Sequence, residues 1–76
     1  MTYANVLSNI KPGQTAHVKQ LLSTGSMRRR LLDIGLIEGT EVRCVGCSPC
    51  GDPSAFLIRG AVIAIRMEDG EKIMIS

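Results

Sequence analysis

Aromatic residues are almost missing from this 76-residue chain: Tyr3 and Phe56 are the only two, and there is no tryptophan. Its core must therefore be aliphatic, and the stacking platforms on which RRM and OB-type domains hold single strands are lacking. Histidine occurs once, at His17. A Ser-His-Asp triad would need another base, and a multi-histidine metal site cannot be assembled. Charge of one sign is also in short supply. Nine basic residues against seven acidic ones leave a net charge of +2, low for a nucleic-acid binder of this length. The glycines stand singly at turns, with no Walker A or GxGxxG run to cradle phosphates. No apolar stretch approaches the ~20 residues that span a bilayer; Ala61 to Ile65 is strand-sized. Met1 to Asn9 lacks a basic start followed by an apolar run, so no signal peptide is expected. Three cysteines make an odd set, unlike a secreted disulfide framework, and a reduced, cytoplasmic protein is the expectation. Together these shortages argue against an enzyme.

Hydrophobic residues, at 45% of the chain, suffice for a folded core. The length allows one domain, residues 1–76, which buries only ~60–65% of the surface its unfolded chain exposes. We expect a complete one-domain protein, because no linker-like segment interrupts it. After Lys11-Pro12-Gly13, a turn, Thr15 to Leu22 alternates: Ala16 and Val18 face one way, His17 and Lys19 the other. Ser23-Thr24-Gly25 is a loop. A helix then follows over Ser26 to Ile34, with Ser26 or Thr24 available as its cap. Met27, Leu31 and Ile34 recur at i, i+4 and i+7 on one face, with Leu32 beside them. Arg29 and Asp33 are spaced for an i, i+4 ion pair. Gly35 ends the helix in the left-handed conformation, and Leu36 can fold back on Leu31 as in a Schellman ending.

The remainder reads as β structure. Ile37-Glu38-Gly39-Thr40 is a turn, Thr40 to Val45 a strand, and Gly46 to Pro53 a loop. Ala55 to Arg59 and Ala61 to Arg66 are two strands meeting at Gly60. Glu68 to Glu71 is a polar or short helical turn, and Lys72 to Ile75 is the last strand. About five short strands and one inserted helix predict a mainly β fold, a small SH3-like barrel.

Two constellations could carry function. Cys44, Cys47 and Cys50 form C-x2-C-x2-C, a spacing that lets thiolates bend round one metal. A closed tetrahedral site would need a fourth ligand, for which only His17 or a carboxylate is available. Cys44 also sits beside Val42 at an inward strand position, where cysteine serves as a small apolar residue. The second constellation is Arg28-Arg29-Arg30 with Asp33. Three consecutive helical residues spread over about 200° of the circumference, so the arginines cannot all meet one flat partner. A solvated face, docking to an acidic protein surface and phosphate contacts are the three readings open to them. The carboxylates Asp33, Asp52, Glu68, Asp69 and Glu71 lie by turns or on the helix and do not form an acid–base pair.

In order along the chain, Lys11-Pro12-Gly13, Arg28-Arg29-Arg30-Leu31-Leu32-Asp33-Ile34-Gly35-Leu36, Gly39-Thr40, Gly51-Asp52-Pro53, Arg59-Gly60 and Ala64-Ile65-Arg66 resemble the FeoA family. The resemblance runs from about Leu7 to Ile75. It implies an SH3-like barrel with a helix inserted after the first strand. It also implies a small cytosolic accessory of bacterial ferrous iron uptake, a module binding the FeoB-type membrane transporter at its cytosolic, guanine-nucleotide-binding part. Contact with the membrane would come only through that transporter, and no nucleic acid is expected. A related domain ends some metal-dependent repressors, which keeps a second reading open: a sensor or delivery protein binding Fe2+ or Zn2+ at Cys44, Cys47 and Cys50. No cofactor is required by the first reading. The chain departs from the family pattern at Glu38, where many members have proline, and at Cys47 and Cys50, in a loop usually free of paired cysteines.

Overall fold

A computed structural model describes residues 5–76; Tyr3 lies outside them. Five strands form one antiparallel sheet: β1 (Thr15–Leu21), β2 (Glu41–Cys47), β3 (Ser54–Ile58), β4 (Ala61–Ile65) and β5 (Ile73–Ile75), in the order β4-β3-β2-β1-β5. Helix α1 (Gly25–Asp33) is inserted between β1 and β2, and a one-turn helix α2 (Met67–Gly70) joins β4 to β5.

The inward positions of the strands, Ala16, Val18, Leu21, Val42, Phe56, Ile58, Ile65, Ile73 and Ile75, make the core, with Leu7, Leu31 and Leu36 closing it from outside the sheet. β1 serves two partners in succession. Thr15, Ala16 and His17 pair with Arg43, Val42 and Glu41 of β2, whereas Val18, Gln20 and Leu21 pair with Ile75, Met74 and Ile73 of β5. Lys19 is the extra residue of a bulge within the β1–β5 ladder, between Val18 and Gln20. The bulge bends β1 and brings Leu21 inward out of strict alternation.

The expected barrel is not closed. β4 and β5 are the edges of the sheet and do not pair. The free side of β5 is already taken: Val6 forms a bridge with Met74, and the Ile75 N–H donates to the Asn5 carbonyl at 2.8 Å. The chain before β1 thus covers the edge that β4 would need for closure.

β2 runs two residues further than its alternation suggests, because Val45 bulges out between Cys44 and Gly46 and pairing resumes at Gly46 and Cys47. The remaining loop, 48–53, is anchored to α2. The Asp52 carboxylate accepts the Met67 N–H at 2.8 Å, supplying the first turn of α2 with an acceptor from fifteen residues away. Asp52→Ala should cost about 1 kcal/mol, seen as a melting temperature lower by about 4–8 °C. Asp52→Asn should recover part of that loss.

Candidate functional site

α1 begins one residue earlier than its pattern suggests, at Gly25, with Thr24 at the cap position and no side-chain capping bond. Its ending follows the expected geometry. The Leu36 N–H reaches the Leu31 carbonyl and the Gly35 N–H the Leu32 carbonyl, both at 3.0 Å, with Gly35 at φ +98°. These are the paired bonds of a Schellman motif, and Leu31 and Leu36 are both buried beneath it. The turn that follows holds Gly39 at φ +90° and is closed by Thr40 N–H to Ile37 O. Thr40 is itself buried, donating its hydroxyl to the Gly35 carbonyl at 2.8 Å. The exit of α1 is therefore rigidly tied to the start of β2.

That exit is also covered by a distant side chain. Arg59 and Gly60 form the β3–β4 turn with φ of +50° and +86°, the two positive values a type I′ hairpin requires. The stem of Arg59 lies against Gly35 so closely that a Cβ built on Gly35 would collide with Arg59 Cδ.

The three arginines diverge as the helical angle demands. Arg28 turns back towards β1, its guanidinium donating to the Leu21 carbonyl at 3.2 Å. Arg30 lines a groove of about 200 Å³ between α1 and β4, beside Met27, Ile34 and Ile63, with Arg66 and Asp69 at its rim. Arg29 and Asp33 are exposed between these two flanks. On the Arg28 side a second shallow groove of about 190 Å³ is floored by Leu32, Leu36 and Ile37 and rimmed by Lys19 and Glu38. Leu32 is 39% exposed and Ile37 50%, large values for such side chains next to a packed helix. Sequence reasoning placed Leu32 beside the buried stripe and Ile37 in a turn, and did not single out either as surface. The helical angle of Leu32, one residue beyond Leu31, was the available signal.

The three cysteines do not come together. Cys44 is 1% exposed within the core, and its Sγ lies 3.7 Å from the Gly46 carbonyl. Cys47 and Cys50 are exposed on the loop side of the Val45 bulge. His17 is exposed opposite Glu41, six residues along β2 from Cys47 and so roughly 20 Å away. Asp52 is engaged by the Met67 N–H. Among the described residues no group of three or more His, Cys, Asp or Glu is placed to hold a metal ion. No helix among them is long and apolar enough to cross a membrane.

Known proteins match this architecture. The FeoA domain family matches residues 5–76. An Fe(2+) transport protein A/Fe(2+) transporter FeoB fusion protein from Porphyromonas gingivalis is 31% identical over 67 residues, covering 88% of this chain and 8% of that protein. The chain thus spans only a small part of this relative's length. The solution structure of FeoA from Chlorobium tepidum superposes with a TM-score of 0.86 at 31% identity, covering 92% of this chain and 67% of that one. A zinc complex of FeoA from Stenotrophomonas maltophilia, described as a prokaryotic SH3 domain protein, gives 0.85 at 25% identity, covering 96% and 91%. The order of elements, the helix inserted after β1 and the extent of the family match all agree: the chain belongs to the FeoA family, whose members are linked to ferrous iron transport.

Proposed function

We propose that the chain is a cytoplasmic, non-enzymatic accessory of ferrous iron uptake that binds the cytosolic part of a FeoB-type transporter through the outer face of α1. The observation that carries this reading is the Porphyromonas relative, whose name joins a transport protein A and transporter FeoB in one polypeptide. Two modules joined by a linker meet at an effective concentration that reaches the millimolar range for short flexible links, which favours even a weak contact. Whether the two modules share a polypeptide or not, the contact itself needs a surface on this one. The outer face of α1 offers cationic Arg29 next to exposed Leu32, with Ile37 beyond it and Arg30 on the flank towards β4, a combination suited to an acidic surface with an apolar patch.

Arg28 is a poor probe, because its guanidinium holds the Leu21 carbonyl. The double variant Arg29→Glu/Arg30→Glu reverses charge without removing a buried group. It should bind the transporter's cytosolic part about fivefold to tenfold more weakly, and wild-type binding should fall as salt rises. Titration by calorimetry, with circular dichroism to verify folding, reads both. Unchanged affinity in a folded double variant would place the contact elsewhere. The chain alone should hydrolyse no nucleotide and needs no cofactor for binding.

A further inference from the structure

We propose that Cys47 and Cys50 are half of a tetrathiolate metal site, completed by the same two cysteines of a second copy of this chain, that binds a borderline-soft divalent cation such as Zn2+ or Fe2+. This goes beyond the transporter reading and does not depend on it.

The two exposed thiols have the C-x2-C spacing of structural metal sites. Cys47 ends β2, and the chain reverses immediately afterwards in a turn closed by the Gly51 N–H on the Ser48 carbonyl at 2.8 Å, which places Cys50 on the same turn. The base of the loop is pinned by the Ser48 N–H on the Pro53 carbonyl at 3.0 Å and by Asp52 on α2. The loop is therefore held from both sides before any metal arrives, which lowers the ordering cost of binding.

Among the described residues, one chain holds no third ligand placed to join these two. Cys44 is in the core, His17 is on a distant part of the sheet, and Asp52 is engaged. Two ligands per chain and a tetrahedral demand for four are reconciled by a twofold axis through the metal, where each copy presents the same patch. The surface allows that approach. Cys44 to Gly51 contains no charged residue, and exposed Val45 and Pro49 flank the thiols, so two copies meet there without like-charge repulsion between neighbouring side chains. On binding, four thiols release four protons to solvent and form four metal–sulfur bonds, with no change in oxidation state. The site carries a net charge of −2, set against +2 on each chain.

The test uses reduced, metal-free protein, titrated with Co2+ without oxygen and then with Zn2+. Thiolate-to-cobalt charge transfer and intense tetrahedral d–d bands should saturate at one Co2+ per two chains, while light scattering shows the mass doubling. Zn2+ should bleach the spectrum and keep the dimer. Two thiols per chain should react quickly with a disulfide reagent before metal is added, and none afterwards. Cys47→Ser and Cys50→Ser, both exposed positions, should each abolish the bands and the dimer. Saturation at one ion per chain with unchanged mass would overturn the proposal, as would binding that survives either serine variant or a dimer that forms without metal.

Discussion

Leu36→Ala should lose about 2–5 kcal/mol of folding free energy. A 76-residue domain has only about 4–11 kcal/mol of total stability, so the variant would sit close to the folding threshold. Leu36 is 0% exposed and lies beyond the end of α1, in the space between the helix and the sheet. Its removal subtracts transfer energy and leaves a cavity that the neighbours cannot readily fill. Leu31 is held by the paired hydrogen bonds of the Schellman ending, and Thr40 by its bond to the Gly35 carbonyl. Urea unfolding should show a lower midpoint at unchanged slope. Leu32→Ala, one turn earlier and substantially exposed, should change stability by less than about 1 kcal/mol. Equal losses from the two variants would mean that Leu36 does not occupy the centre of the helix–sheet interface.

The contrast between these two leucines also marks how far sequence reasoning reaches. The spacing of Met27, Leu31 and Ile34, followed by Gly35 and Leu36, contains the helix, its buried face and its ending, because each depends on residues within one or two turns. The strands are legible for the same reason: alternation is local. What escaped is non-local. Barrel closure depended on which segment takes the outer edge of β5, and that segment, Asn5–Val6, carries no strand pattern. The extension of β2 to Cys47 depended on a bulge at Val45 that alternation counting cannot place. Asp52 as the acceptor for α2 and Arg59 against Gly35 are contacts between distant parts of the chain. At the candidate site, the divergence of Arg28 and Arg30 followed from 100° per residue, and the inward position of Cys44 from its parity with Val42. The engagement of Arg28 with the Leu21 carbonyl did not, and it changes which arginines can meet a partner.

Gly35→Ala should destabilise the fold by about 2–3 kcal/mol, from two causes that can be separated. The first is backbone: φ of +98° lies outside the small left-handed region open to L-residues, so a Cβ there is strained. The second is the collision of that Cβ with the stem of Arg59. Gly39 is the internal control. It has a nearly identical φ of +90°, with nothing within 4 Å of where a Cβ would stand, so Gly39→Ala reports the backbone cost alone. The Gly35 variant should therefore be the less stable of the two by about 1 kcal/mol, some 4–8 °C in melting temperature. In the double variant Gly35→Ala/Arg59→Ala the collision is gone and the φ strain remains, so the losses should sum to less than the two singles by a similar amount. Strict additivity would show that Arg59 swings clear at no cost and that its cover over the helix exit is incidental. A positive coupling would make the Arg59-Gly60 turn and Gly35 one device, a hairpin tip seated on a helix end, which holds the outer face of α1 at a fixed angle to the sheet. That face is the proposed partner surface, and its orientation would then be set by a glycine that touches no partner.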